Sequence, residues 1–274
     1  MKKTDWDIGS SAERTYFASM RQFLKELIAY TRTAKSAGEL VNRITTWAAS
    51  PEFKQWSWRA AFRMVESVAT RNAKTWREAA QANKSRANEI HRLLKAETDN
   101  SAKYQFIIKQ NAKLIRSLPI QMAERVTKLS AEYATSGIRA SELANQIMRE
   151  VPGITERRAK LIARTEVSKA QEAINQSRAE EMGVSWYQWE TSQDERVRSS
   201  HAHMQGVWCK YSDPPAPEVL DGLPSEGHYN AGQIFNCRCY AAPIIELELE
   251  TFPAKVYYRG NIVRMSRRQF KKIQ

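Results

Sequence analysis

Residues 186–243 read WYQWETSQDERVRSSHAHMQGVWCKYSDPPAPEVLDGLPSEGHYNAGQIFNCRCYAAP. This stretch holds all three cysteines of the chain (Cys209, Cys237, Cys239) and three of its four histidines (His201, His203, His228). Five of the ten glycines and five of the nine prolines fall between Gly183 and Pro243. A helix-forming chain therefore gives way here to a turn-rich one carrying potential ligands. The expected fold is α+β: a mainly α-helical N-terminal two-thirds followed by a small, turn-rich Cys/His module.

Working outward, VSWYQWET predicts a strand, followed by a polar loop from Ser192 to Arg198. Phe235 to Tyr240 and Ile244 to Leu249 each have the composition of a strand. The last 24 residues, 251–274, predict a hairpin in which KVYY and IVRM flank Arg259-Gly260-Asn261. That tail carries seven basic residues (Lys255, Arg259, Arg264, Arg267, Arg268, Lys271, Lys272) and no acid, the composition of a phosphate or partner contact.

Upstream, residues 1–118 read as helix. Tyr16, Met20, Phe23, Leu24 and Leu27 share one helical face, with a stop expected at Ser36-Ala37-Gly38. Ser50-Pro51-Glu52 is a helix start, with a hydroxyl cap, proline in the first turn and a carboxylate at the positive dipole end. The Thr98–Ser101 cluster separates that helix from one carrying Phe106, Ile107, Leu114 and Ile115. Trp47, Trp56, Trp58 and Trp76 recur at helical spacing, which points to core or interface positions rather than base stacking. Residues 119–183 are read as separate helices broken at Ser136-Gly137 and Pro152-Gly153 and stopped at Gly183. Val151-Pro152-Gly153-Ile154 also has the form of a helix-hairpin-helix turn that offers backbone N–H groups to a DNA phosphate, with Thr155 where a second glycine is usual. The expected divisions are thus 1–118, 119–183, 184–250 and 251–274.

The chain has 274 residues and a formal net charge of +13, an excess that favours a polyanionic partner such as nucleic acid. Its 42% hydrophobic content suffices for a core. No apolar run long enough to span a bilayer and no export signal are visible, so a membrane partner is not expected. Three cysteines without such a signal point to thiols or metal ligands rather than disulfides.

Cys237-Arg238-Cys239 places two thiols at i and i+2, on one face of a strand and close enough to share a metal. Zinc is the expected ion and needs two more ligands. His201, His203, His228, Cys209 and Asp194 are candidates, and the set His201, His228, Cys237 and Cys239 is preferred. Asp194, Glu195, His201 and His203 would suit a metal-dependent nuclease or toxin-like site, and Cys237 with His201 a nucleophile–base pair. No phosphate-cradling glycine loop, nucleophile elbow or H-E-x-x-H helix accompanies them, so no catalytic residue is assigned.

Arg164-Thr165-Glu166, Ala173, Asn175, Gly183, Trp189, Asp194-Glu195-Arg196-Val197-Arg198, His201, Gly206, Pro224, Asn236-Cys237-Arg238-Cys239 and Pro243 follow one another in an order that resembles the phage head morphogenesis family, the Mu F-like minor head proteins of tailed bacteriophages. The resemblance covers roughly residues 135–245. Its motif positions here are Arg164, Thr165, Glu166, Asp194, Arg198, His201, Gly206, Asn236, Cys237, Arg238 and Cys239. Relatives have His-Pro-Gly where this chain reads His228-Tyr229-Asn230-Ala231-Gly232. The resemblance implies a non-enzymatic minor component of the phage head, found in the virion and in the host cytoplasm during assembly. Its implied partners are the portal, the major capsid protein and packaged double-stranded DNA.

Overall fold

The computed structural model describes residues 5–7, 9–97, 102–134 and 140–274. Six helices come first: α1 (Ser11–Thr31), α2 (Ala37–Ala49), α3 (Pro51–Ala82), α4 (Ala87–Ala96), α5 (Ala102–Ala134) and α6 (Ala140–Glu181). Five strands and three short helices follow: β1 (Trp186–Thr191), α7 (Ser199–His203), β2 (Val207–Lys210), α8 (Pro217–Leu220), β3 (Cys239–Pro243), β4 (Ala254–Tyr258), β5 (Asn261–Met265) and α9 (Arg267–Phe270). The chain is α+β, as its composition implies. It divides into two compact units, one of residues 10–66 and 99–166, the other of residues 1–9, 67–98 and 167–274.

The first unit is helical. The α1 stripe of Tyr16, Met20, Phe23, Leu24 and Leu27 is buried, as are Leu40 and Ile44 of α2, and α2 packs on α5. Ser36 does not end a helix. Its hydroxyl accepts from Glu39 N–H at 3.2 Å and starts α2, while α1 has already stopped at Thr31. The Ser50 hydroxyl caps α3 in the same way, accepting from Phe53 N–H at 3.2 Å. Phe23, Trp47, Phe53 and Trp56 form one aromatic cluster, with the Trp47 and Phe53 rings 4.6 Å apart. Trp58 departs from the core reading: it is 44% exposed and stacks on Phe62 at the surface.

Two prolines expected to punctuate the chain lie inside helices. Pro119 sits in α5 and Pro152 in α6. Each removes one backbone donor, yet each is flanked by a buried stripe that only a continuing helix can bury. The stripes are Ile115, Leu118, Met122 and Val126 in α5, and Val151, Thr155, Ala159 and Ile162 in α6. The Thr155 hydroxyl also donates back to Val151 C=O at 2.9 Å. The helix-hairpin-helix reading is therefore corrected: Pro152 and Gly153 form no turn and present no row of free N–H groups. The expected break at Ser136-Gly137 and the Thr98–Ser101 cluster lie outside the described residues.

The second unit is a five-stranded sheet of order β3-β1-β2-β4-β5, with β2–β4 parallel and the other pairs antiparallel. Alternation along the strands sends Tyr187, Trp189, Cys209 and Ala241 into a core shared with Trp76, Ile90 and Ala179 of the helices. Trp186, Trp208, Val256 and Met265 face the other way, onto Phe270 of α9. Gly183 ends α6 with φ +69°, and Val184 N–H reaches back to Ala179 C=O at 2.8 Å. The tail hairpin forms as read, with Arg259 and Gly260 at positive φ in its turn and Lys255 opposite Arg264. Ile244–Leu249 is not a strand. Leu247–Leu249 is a single 3-10 turn, since Ser85 takes Glu246 with both its N–H and its hydroxyl (3.1 and 2.5 Å) while Leu247 is buried. The other expected strand also shifts, from Phe235–Tyr240 to Cys239–Pro243.

Helix α6 lies along the outer margin of β3. Glu172 accepts from Ala241 N–H at 3.2 Å, and the Asn175 amide donates to Ala241 C=O at 2.9 Å. The Asn175 oxygen in turn accepts from Trp76 Nε1 at 2.9 Å and from Asn72 at 3.3 Å. One residue thereby links α3, α6 and β3. The close approach requires Gly232: its φ is +80°, and a Cβ there would lie 2.5 Å from Glu172 Cγ.

Candidate functional site

His201, Cys237 and Cys239 come together in the second unit. Helix α7 carries His201, while Cys237 lies just before β3 and Cys239 is its first residue. The Sγ atoms of Cys237 and Cys239 are 3.5 and 3.3 Å from His201 Nδ1. All three donor atoms lie within 4.8 Å of one another, the spacing of a group able to hold a metal ion. The residues are 1%, 4% and 4% exposed, so the site is closed to solvent.

The remaining motif residues build a latch around this group. Arg238 grips Asp194 with two guanidinium nitrogens, one of them Nε at 2.7 Å from Oδ1, and Ser192 N–H donates to Arg238 C=O at 2.8 Å. Asp194 is thereby held below the ordinary carboxylate range, mainly by the Arg238 hydrogen bond. Arg198 donates to Phe235 C=O at 3.0 Å and lies over the Phe235 ring. Asn236 has φ +53°, a left-handed conformation that asparagine tolerates better than most residues, and so turns the chain into the Cys-Arg-Cys run. Gly206, at φ +76°, closes the turn from α7 into β2 through a bond to Trp189 C=O at 2.8 Å. Arg164, Thr165 and Glu166 are in the first unit, where Arg164 pairs with Glu13 at 3.3 Å.

Behind His201 stands a second layer that the sequence reading did not single out. Tyr229 OH donates to Glu218 (2.7 and 2.6 Å to its two oxygens) and lies 3.0 Å from His201 Nε2. Glu218 Oε1 is itself 3.3 Å from His201 Nε2. Burial works against charge on Glu218, but the Tyr229 hydrogen bond and His201 hold its carboxyl below the ordinary range. On the thiol side, a hydrogen bond from Cys239 and then His201 pull Cys237 well below a normal thiol, while burial and the neighbouring sulfur push Cys239 up. The pair thus favours a thiolate on Cys237. A glutamate next to a proline in APEV and a tyrosine after His228 carry no local mark of this role; only the fold brings them together.

His228 is placed elsewhere. It is exposed, with Nδ1 3.0 Å from Pro214 C=O, and the adjacent Tyr229 turns inward instead. His203 is exposed and pairs with Asp221 at 2.5 Å. Cys209 is buried on β2 outside the group, its thiol pushed up by burial. In the tail, Arg267 is tied to the carbonyls of Leu247 and Glu250 (2.9 and 2.8 Å), and Lys271 faces Glu248 at 4.0 Å. Arg259 lies over Tyr258, and Arg268 and Lys272 are exposed. Lys255 and Arg264 line a cleft of 680 Å³ together with Trp6, Gln188, Gln205 and Trp208.

Among the described residues, no helix is long and apolar enough to cross a membrane. No solved structure matches the chain. A protein of Haemophilus influenzae (strain ATCC 51907 / DSM 11121 / KW20 / Rd) described as an uncharacterized protein is 36% identical over 136 residues. That alignment spans 50% of this chain and 28% of the relative, so only a minor part of the relative is represented. Residues 124–242 match the family described as phage Mu protein F like protein. The span takes in the Asp194–Arg238 latch and the whole His201, Cys237 and Cys239 group, so this part of the chain is similar to the phage Mu F-like family.

Proposed function

We propose that the protein is a minor head component of a tailed phage or prophage, acting in head assembly by binding and positioning without a chemical step. The observation that carries this reading is the Mu F-like match over residues 124–242, whose motif residues make a closed latch rather than an open site. A Cys237–His201–Glu218 line has the order of a nucleophile, base and orienting carboxylate. Its members are buried, and Cys239 shares the same imidazole nitrogen at a shorter distance. Asp194, the carboxylate a nuclease reading needs, is committed to Arg238. These features support a structural role for the group. The proposed partners are the portal or inner capsid wall and packaged double-stranded DNA, in keeping with the +13 charge. Lys255 and Arg264, facing the cleft, are the basic side chains proposed to meet a polyanion.

Quantitative mass spectrometry of purified, DNA-filled heads tests the reading. A few to tens of copies per head, with portal protein co-purifying from an assembling lysate, is the expected result. Absence from heads together with divalent-metal-dependent plasmid cleavage that His201→Ala abolishes would overturn it in favour of an enzyme.

A further inference from the structure

We propose that His201 Nδ1, Cys237 Sγ and Cys239 Sγ bind one zinc-class cation. In a tetrahedral zinc site, sulfur and nitrogen ligands lie about 3.6 Å apart, given metal bonds of about 2.3 and 2.0–2.1 Å. The observed 3.5 and 3.3 Å separations are within a few tenths of that spacing.

Proton counting around His201 points the same way. The Tyr229 hydroxyl has one hydrogen, and it goes to Glu218. His201 Nε2 must therefore be the donor in its 3.0 Å contact with Tyr229. In the neutral imidazole, the Nδ1 lone pair then faces both sulfurs. That lone pair can accept from only one thiol at a time, whereas one cation engages all three donors. A metal-bound histidine whose other nitrogen donates toward a carboxylate is the common outer arrangement of zinc sites. Here Glu218 and Tyr229 supply it.

Two further buried groups fit the assignment. The Trp189 indole N–H is buried without a hydrogen-bond partner, and its ring lies edge-on to His201 at 5.6 Å. Three protein ligands leave one tetrahedral position for a water. Glu172 Oε1 is also buried without a hydrogen-bond partner. The soft donor set selects zinc or its thiophilic analogues over magnesium or calcium. The ion would fasten α7 to the start of β3.

The assignment stands apart from the head-protein reading and is tested on the full chain. Purified protein equilibrated with zinc and then desalted should retain one zinc by elemental analysis. Cys237→Ala, Cys239→Ala and His201→Ala should each lose it, whereas His228→Ala and Cys209→Ala keep it. Because the first three variants can misfold, the unmodified chain is also loaded with cobalt. A thiolate-to-cobalt charge-transfer band with the strong visible bands of a tetrahedral site is expected, and chelation should lower the melting temperature reversibly. No retained zinc and no charge-transfer band in the folded wild type would overturn the site. So would zinc that persists in the Cys237→Ala/Cys239→Ala double variant, or its loss from His228→Ala.

Discussion

Asn175 uses both ends of its amide, donating to Ala241 C=O and accepting from Trp76 Nε1 and Asn72. Asn175→Ala strands a buried indole N–H and a buried carbonyl, and each unsatisfied group costs roughly 1–3 kcal/mol. Denaturant unfolding should show a loss of about 3 kcal/mol; a change within the noise would mean water replaces the amide. Asp194 gives a pH-dependent counterpart. Its folded pKa is lowered, so its contribution is present above the ordinary aspartate range and disappears as pH falls through the folded value. Asp194→Asn should therefore melt below wild type near neutral pH, with the gap closing in acid. A gap independent of pH would separate the effect from ionisation.

At the scale of elements, Arg178 of α6 is the cross-tie. It is 2% exposed, reaches Asn72 and the Ala69 carbonyl of α3, and grips Glu97 after α4 through Nε at 3.1 and 3.2 Å. Because Glu97 is 24% exposed, removing Arg178 is expected to cost roughly 2–4 kcal/mol, below the full cost of a wholly buried pair. Arg178→Met should fall in that range by chemical denaturation, and recovery in an Arg178→Met/Glu97→Met double variant would trace the cost to the orphaned carboxylate. The same scale shows what the sequence could carry. Stripes such as Tyr16–Met20–Phe23–Leu27, the Ser50-Pro51 start and the Arg259-Gly260 turn are local rules that the fold keeps. Pro119 and Pro152 read locally as breakers, but the buried stripe around Pro119 and the one running on from Val151 outweigh that rule. IIELEL alternates like a strand, yet Glu246 is claimed by Ser85 from 161 positions away. The i, i+2 thiols were legible from spacing alone. Glu218 and Tyr229 were not, because their place beside His201 depends on how the loops between β2 and β3 close.

For the whole molecule, the limits of family similarity differ from the limits of the compact unit. Residues 124–242 include β1, β2 and β3 but neither Trp76, which bonds to Asn175, nor β4, which pairs with β2 at Val207–Lys255 and Trp208–Val256. A fragment of residues 124–242 is expected to show helical circular dichroism without a cooperative thermal transition, whereas the full chain unfolds cooperatively. A sharp transition in the fragment would refute this dependence.

The bonds from Glu172 and Asn175 to Ala241 also set an arithmetic for self-association. A sheet with two open flanks can recruit copies of itself in both directions and grow into a fibre. With the β3 flank occupied by α6, copies can meet only through β5, and such a contact is used up once two copies have joined. Strand-mediated association of this chain is therefore expected to stop at a pair.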